Sequence, residues 1–214
     1  DHLLVGGGLA ATFLKAKRYE IGKSLFEKDM LSTAYNIMQK ATTGKVDVLL
    51  PLDVVVASEL KAGVKTKTVP ADQIPADSYL VDIGRETIDL FSKTLSESRT
   101  VFWNGPMGIF EIPEFSAGTK AIANTLAGLK GKGTTVTGGG STAEAVNSLG
   151  LADKFSFVST GGAATGCATA GTGVAGSGRG VGAGAVTGAA TALRCRPGGS
   201  NGGKPAGPTR RAGG

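Results

Sequence analysis

Four short apolar runs in this chain each lead into a turn that contains glycine, and this repeat constrains the fold more than any other feature. The turns follow the runs that end near Val5, Trp103, Thr137 and Val158. Parallel strands of a sheet end at the same edge, and glycine there lets a phosphate approach the backbone N–H groups. The repeat therefore predicts an open α/β sheet with a phosphate-rich ligand along its carboxyl edge.

Strand and helix patterns alternate along the first 160 residues. The helix patterns repeat apolar residues at helical spacing, most clearly over residues 30–43 and 115–129. The strand patterns are almost entirely apolar, as in a sheet whose two faces are both covered. This alternation implies right-handed crossovers between parallel strands. We therefore predict an α/β fold, a three-layer Rossmann-like open parallel sheet with helices on both faces, truncated at both ends. The predicted strands are 2–5, 46–50, 54–57, 79–83, 100–103, 134–137 and 155–159, and residues 65–76 are predicted as a polar loop broken by proline.

The composition changes sharply near residue 161. Residues 1–160 carry 17 Lys and Arg and 17 Asp and Glu, whereas residues 161–214 carry six basic residues and no acid. The net charge of +6 therefore lies in the tail, which also holds 18 of the 35 glycines and no aromatic residue. Such a segment buries too little apolar surface to offset its ordering entropy. We predict one ordered unit over residues 1–162 and a low-complexity Gly/Ala/Arg tail over residues 163–214. That tail is either disordered or translated in a shifted frame, and a genuine basic linker is the alternative.

Cysteine usage and hydropathy exclude several classes of protein. Cys167 and Cys195 both lie in the tail without metal-ligand neighbours, so they indicate neither a disulfide framework nor a metal site. No apolar run is long enough to span a membrane, and the first residues lack the regions of a signal peptide. The chain begins without Met and almost inside a strand, which suggests a fragment.

Three positions near the glycine turns admit both a structural and a ligand-binding interpretation. The triple glycine at 6–8 lacks the spacing of the dinucleotide fingerprint and of the Walker loop, so it is either a tight turn or a ligand contact. The triple glycine at 138–140 opens a helix whose N–H groups favour phosphate. Alternatively, Ser141 or Thr142 is an N-cap without a ligand. Glu111 is either a solvated acid or an acceptor for a hydroxylated ligand.

Several segments together resemble one enzyme family. WNGPMGIFE at residues 103–111, the triple glycine before a helix, and VSTGG at residues 158–162 are similar to the nucleotide-binding domain of phosphoglycerate kinase. LLVGGGLAATFLKA, IGKSLFEKD and LLPLDVVVA resemble the same family in the same order. The resemblance runs from about the first residue to Gly162, and the agreement of many ordered segments makes it very specific.

The resemblance implies a nucleotide pocket and a cradle for the transferred phosphoryl group. In the family, adenine packs on the turn that matches Gly7 and Gly8, the ribose binds the acid that matches Glu111, and the residue that matches Thr142 contacts the phosphates. Ser141 stands where the family usually has Asp, and Phe157 where it often has His. The implied nucleotide-binding residues are Gly7, Gly8, Leu25, Val81, Asn104, Pro106, Ile109, Glu111, Gly139, Ser141 and Thr142, and the implied catalytic residues are Gly139, Gly140, Gly161 and Gly162.

The resemblance also implies a reaction, namely phosphoryl transfer between 1,3-bisphosphoglycerate and ADP to give 3-phosphoglycerate and ATP in glycolysis. Magnesium enters with ATP or ADP, and 3-phosphoglycerate binds through an amino-terminal domain that is missing here. We expect a cytoplasmic monomer, with a plastid or another organelle left open, that has no membrane or specific nucleic-acid partner. The chain alone is expected to bind nucleotide without turnover. The alternatives are a non-catalytic nucleotide-binding module and a basic-tailed, non-specific nucleic-acid binder.

Overall fold

The computed structural model describes residues 1–161 and 190–197, which build two sheets and five α-helices. The larger sheet has six strands in the order β2-β1-β9-β6-β7-β8, and the smaller sheet has three in the order β4-β3-β5. The strands are β1 (His2–Gly6), β2 (Asp47–Leu49), β3 (Asp53–Ala57), β4 (Thr66–Pro70), β5 (Tyr79–Ile83), β6 (Ser98–Asn104), β7 (Thr134–Gly138), β8 (Phe157–Val158) and β9 (Ala190–Pro197). The helices are α1 (Gly7–Ala16), α2 (Leu31–Thr43), α3 (Arg85–Ser96), α4 (Ala117–Ala127) and α5 (Gly140–Ser148).

Helices cover both faces of the larger sheet, because successive residues of a strand point to opposite faces. Leu4 of β1 packs into one core with Ile122 of α4. Val5, the next residue, packs into another core with Phe13 of α1 and Ala34 of α2. β1 runs parallel to β2, and β6, β7 and β8 run parallel to one another. The predicted α/β class, a parallel sheet with helices on both faces, is confirmed.

Two of the predicted strands belong to the smaller sheet rather than to the parallel one. β3 pairs antiparallel with both β4 and β5. β4 forms where the sequence predicts a polar loop, so that prediction was wrong for residues 66–70. Only Val69 of this strand is buried, and the strand ends at Pro70. An edge strand of this kind lacks the apolar alternation by which a strand is recognised in sequence.

β9 lies in the middle of the larger sheet, between β1 and β6, and runs antiparallel to both. In its backbone register, Leu193 is opposite Leu4 of β1 and Trp103 of β6. In the common doubly wound order 3-2-1-4-5-6, β1 and β2 correspond to the second and third strands, and β6, β7 and β8 to the last three. β9 therefore occupies the place of the first strand in the reverse direction.

β9 also differs from the prediction that the tail has no ordered structure. That prediction counts apolar side chains, whereas a strand placed between two others gains backbone hydrogen bonds along both of its edges. A disordered tail is expected to be cut by trypsin first at Arg179, Arg194 or Arg211, but Arg194 lies inside β9. Residues 162–189 and 198–214 lie outside the described residues, together with the predicted trypsin sites Arg179 and Arg211.

Asp82, near the carboxyl end of β5, joins the smaller sheet to the start of α4. Its buried carboxylate accepts the N–H of Gly118 at 2.7 Å and the N–H of Ile83 at 2.9 Å. Burial raises the pKa of Asp82 from its usual 3.8 to about 7, and backbone N–H groups of Gly118, Ile83 and Ala117 lower it by less. The carboxyl group therefore changes its protonation state near neutral pH in the folded chain.

The free energy of unfolding is expected to fall as the pH rises from about 4 to about 7. Over this range the folded chain keeps a proton on Asp82 that the unfolded chain has already released, so a higher pH favours unfolding. A pKa shift of this size corresponds to at most about 4 kcal/mol. Urea unfolding near pH 5 and near pH 8 measures the difference.

Asp82→Asn is expected to remove this part of the pH dependence, because an amide does not titrate. Asp89→Asn is the matched control, since Asp89 is exposed on α3. The control should keep the slope of the unmodified chain. Parallel pH curves for the unmodified chain and Asp82→Asn would show that another group carries the effect.

Candidate functional site

The carboxyl ends of β1, β6 and β7 lie at one edge of the larger sheet. β1 and β6 are each antiparallel to β9, so they are parallel to each other. Gly6 is opposite Thr191 of β9, and Asn104 is opposite the next residue, Ala192. Asn104 is also opposite Gly138 of β7. The turns that follow these three strands therefore meet at the same edge.

The turn after β1 packs directly against the loop after β6. Gly7 has a φ of +55°, a left-handed conformation that favours glycine. Its N–H donates to the carbonyl oxygen of Met107 at 3.0 Å. A Cβ added at Gly6 would lie 2.5 Å from the Met107 sulfur, so a larger residue there would displace the buried Met107 side chain. Gly8 is exposed at the same turn and is accessible to a ligand.

The loop of residues 104–109 is also fixed from α5 and from β5. The Gly105 N–H donates to the Thr142 hydroxyl oxygen at 2.6 Å. The Ile109 N–H donates to the Val81 carbonyl oxygen at 3.0 Å. These bonds hold both ends of a segment that has no regular secondary structure of its own. The loop, which includes the predicted pocket residues Asn104, Pro106 and Ile109, is therefore preorganised.

The start of α5 brings the third glycine turn and the fourth turn together. The helix begins at Gly140, and Gly139 precedes it with a φ of +92° and without a side-chain cap. The Gly139 N–H donates to the Gly161 carbonyl oxygen at 3.0 Å. Among the described residues, no atom lies within 4 Å of a Cβ added at Gly140, so a ligand can approach the backbone there. Ser141 and Thr142 lie inside the first turn, so their interpretation as the N-cap was wrong.

Thr142 has a structural contact that its position in the sequence does not reveal. The side chain is buried, and its oxygen accepts the Gly105 N–H. This bond connects the start of α5 with the loop after β6. Because the side chain is fully buried, its role in this structure is to hold that loop in place. Ser141, the neighbouring residue, is partly exposed at the same helix start.

The apolar residues predicted for the pocket have different environments. Val81 is buried and packs with partly exposed Ile109. Leu25, in contrast, is 71% exposed. Its neighbour Ser24 accepts the Leu80 N–H on the side-chain oxygen at 2.8 Å, which fixes this segment beside β5. Leu25 is therefore an apolar side chain held at the surface.

Glu111 and Gly161 are predicted site residues that lie exposed at the surface. Glu111 is exposed, on a turn closed by a 3.0 Å bond from the Ile112 N–H to the Ile109 carbonyl oxygen. Its carboxylate has no hydrogen-bond partner within residues 1–161 and 190–197. Gly161 is exposed, and Gly162 lies outside the described residues.

A family profile, described as phosphoglycerate kinase, matches residues 1–171, which is most of the chain. This chain belongs to the phosphoglycerate kinase family. The family match agrees with the resemblance of the ordered segments and extends past Gly162. It favours neither of the two alternatives, the non-catalytic nucleotide-binding module and the basic-tailed nucleic-acid binder.

Individual phosphoglycerate kinases match to a similar extent. The phosphoglycerate kinase of Pelotomaculum thermopropionicum is 50% identical over 165 residues, which covers 77% of this chain and 42% of that protein. The cytosolic phosphoglycerate kinase of Nicotiana tabacum is 49% identical over 166 residues, covering 77% of this chain and 41% of the relative. The structure of the phosphoglycerate kinase from Coxiella burnetii matches with a TM-score of 0.73 and 41% identity, over 77% of this chain and 42% of that one. The chain thus spans about two fifths of the length of these relatives.

One residue that contacts the loop after β6 was not predicted from the sequence. Thr119 of α4 is buried, and its hydroxyl oxygen accepts the N–H groups of Met107 and Gly108 at 3.0 and 3.3 Å. The helix pattern contains a signal that could have found it. Position 119 lies four residues after Phe115 and three before Ile122, so a polar residue interrupts the apolar face of the helix.

The described part of the chain shows neither a metal-binding cluster nor a membrane-spanning helix. Within residues 1–161 and 190–197, no group of three or more His, Cys, Asp or Glu is arranged to hold a metal ion. No described helix is both long enough and apolar enough to cross a membrane. His2 lies 3.1 Å from the Asp47 carboxylate, at the amino ends of β1 and β2 and away from the glycine turns.

Proposed function

We propose that residues 1–161 form part of the nucleotide-binding domain of a phosphoglycerate kinase and bind ADP and ATP along the carboxyl edge of the larger sheet. The observation that carries this proposal is the contact between the three glycine-bearing turns. The Gly7 N–H donates to Met107 of the loop after β6, and Thr142 of α5 accepts the Gly105 N–H of the same loop. Three segments far apart in sequence thus form one continuous surface.

Each part of this surface has chemistry that suits a different part of a nucleotide. The exposed turn at Gly8 offers backbone on which adenine can pack, and Leu25 is an exposed apolar side chain that could cover the base. The exposed carboxylate of Glu111 suits the ribose hydroxyls, because an ionised carboxylate only accepts hydrogen bonds. The start of α5 at Gly140 suits the phosphates, because its N–H groups and the helix dipole favour negative charge.

The reaction proposed for the whole enzyme is phosphoryl transfer between 1,3-bisphosphoglycerate and ADP. Such transfer depends on positioning and on charge neutralisation rather than on covalent chemistry of the protein. Magnesium arrives with the nucleotide as part of the substrate. Ser141 offers a neutral hydroxyl at the start of α5, so it can bind a phosphate oxygen or a water without adding negative charge. Gly139, Gly140, Gly161 and Gly162 would then cradle the transferred group.

The pathway, the oligomeric state and the compartment are proposed from this assignment. The whole enzyme would act in glycolysis as a monomer, with 3-phosphoglycerate bound by a domain outside this chain. The cytoplasm is the proposed compartment, and a plastid is the alternative. Calorimetric titration with Mg-ADP tests the proposal directly, and heat of binding at a single site supports it. A chain that is folded by circular dichroism and gives no binding would contradict it.

Glu111→Ala is expected to weaken ADP binding by about 1–3 kcal/mol, the range for leaving a buried polar partner unpaired. This corresponds to a rise in Kd of about five- to 150-fold. The carboxylate is exposed and available, so its removal should leave the fold intact. Calorimetry with ADP measures the change, and a thermal melt checks the fold.

Glu97→Ala is the matched control for this substitution. Glu97 is exposed and directly precedes β6, so it lies at the amino edge of the larger sheet, opposite the glycine turns. Its replacement should leave the ADP affinity unchanged. Equal affinities for Glu111→Ala and Glu97→Ala would place the ribose elsewhere.

A further inference from the structure

We propose that Thr119 is a positioning residue for nucleotide binding, which holds the loop after β6 in the shape that the nucleotide contacts. This inference rests on the proposed function. Thr119 lies in the first turn of α4, and its side chain is 1% exposed. It therefore cannot touch a nucleotide at the surface and must act through the loop that it binds.

The Thr119 hydroxyl oxygen satisfies two successive N–H groups of that loop. It accepts the Met107 N–H at 3.0 Å and the Gly108 N–H at 3.3 Å. Met107 is fully buried, so its N–H has no access to water. A buried N–H without a partner costs about 1–3 kcal/mol. The loop conformation therefore depends on an acceptor at this point.

The effect of Thr119 extends through Met107 to the turn after β1. Met107 binds Thr119 through its N–H and accepts the Gly7 N–H on its carbonyl oxygen at 3.0 Å. The Met107 carbonyl and the Gly108 N–H belong to one planar peptide unit, so the bond from the Gly108 N–H to Thr119 also fixes the direction of that carbonyl. Thr119 thus sets the position of Gly7, and with it the turn whose exposed residue Gly8 would meet adenine, as well as that of the loop.

Thr119 is itself held in a fixed place. The preceding residue, Gly118, donates its N–H to the Asp82 carboxylate at 2.7 Å. A Cβ at Gly118 would lie 2.4 Å from an Asp82 oxygen, and a Cβ at Gly108 would lie 2.5 Å from the same oxygen. The start of α4, Asp82 and the loop are therefore in direct contact. This packing leaves Thr119 little freedom to move away from the loop.

Thr119→Val tests the proposal, because valine keeps the shape of threonine and removes the acceptor. The Kd for Mg-ADP is expected to rise about tenfold, which is the size of effect expected when buried N–H groups lose their acceptor. Thr119→Ser keeps the acceptor and should restore the affinity. Hydrogen exchange of the Met107 and Gly108 amides should become faster in Thr119→Val and return to its original rate in Thr119→Ser.

Thr125→Val is the matched control on the same helix. Thr125 is half-buried, and its hydroxyl contacts the Ala121 carbonyl oxygen and Ser92, away from the loop. This variant should bind Mg-ADP like the unmodified chain. If Thr119→Val does not fold, Thr119→Ala replaces it, since alanine also lacks the acceptor and adds no bulk at the site.

Two results separate this inference from the proposed function. If the unmodified chain is folded and does not bind Mg-ADP, the proposed function fails and the inference fails with it. If the unmodified chain binds, and Thr119→Val and Thr119→Ala bind as tightly as Thr125→Val, the inference alone is overturned. A loss of affinity that Thr119→Ser does not restore would also overturn it, because the hydroxyl would then not be the cause.

Discussion

A chain that ends at residue 161 is expected to lose most of the stability of a chain that ends at residue 197. The shorter chain lacks β9, which pairs with β1 along one edge and with β6 along the other. Its removal leaves two strands in the middle of the sheet with unpaired N–H and C=O groups, which favours aggregation. Each backbone hydrogen bond contributes about 0.5–1.5 kcal/mol, and a whole domain has only about 5–15 kcal/mol to lose.

Thermal melting and size-exclusion chromatography of the two chains measure this difference. The shorter chain should melt at a much lower temperature or elute as aggregates, and the chain ending at 197 should behave like the full chain of 214 residues. Trypsin offers a second measure, because Arg194 lies inside β9 and should be cut slowly in the longer chain. Equal melting temperatures for both chains would mean that β9 adds nothing, as the composition of the tail predicts.

The isolated chain is expected to transfer phosphoryl groups at least about a thousandfold more slowly than an intact phosphoglycerate kinase. Holding two substrates in the right geometry lowers the activation barrier of such reactions by about 7–11 kcal/mol. The chain spans about two fifths of its relatives, and by resemblance the glycerate binds elsewhere. Phosphoryl transfer also needs positive groups around the moving phosphate.

The arginines of residues 1–161 do not supply that charge at the glycine turns. Arg99 donates to the Lys132 carbonyl oxygen at the amino end of β6, and Arg85 pairs with Asp89 on α3. Arg18 is exposed beyond the far end of α1. A coupled assay for ATP formation measures the rate, with intact phosphoglycerate kinase of Thermus thermophilus, a 50% identical relative, as the reference. A rate close to that of the reference would mean that residues 1–214 hold a complete active site.

Local patterns predicted the elements of the larger sheet well because those patterns reflect burial on one or two faces. The apolar strands β1, β6 and β7 and the helical repeat over α4 were all recognised in this way. The carboxyl-edge location of the glycine turns followed from the same alternation, since parallel strands end together. The resemblance to phosphoglycerate kinase rested on the same glycine turns and is confirmed by the family match.

The contacts that hold the site together could not be predicted in the same way. Thr119, Asp82 and Gly7 contact the loop after β6 through hydrogen bonds and close packing between residues many positions apart. A threonine on an apolar helix face indicates that something polar lies opposite, but it does not say what. Only the packing of α4 against β5 decides that the partner is a loop N–H.

By itself, the sequence determined the fold class, the family and the edge of the sheet at which the glycine turns meet, because each depends on side chains close together along the chain. The tertiary structure alone decided that β3, β4 and β5 form a separate antiparallel sheet and that residues 190–197 enter the larger sheet between β1 and β6. Strand pairing is made by backbone groups, which every residue except proline carries alike, so the choice of neighbour leaves little trace in the sequence.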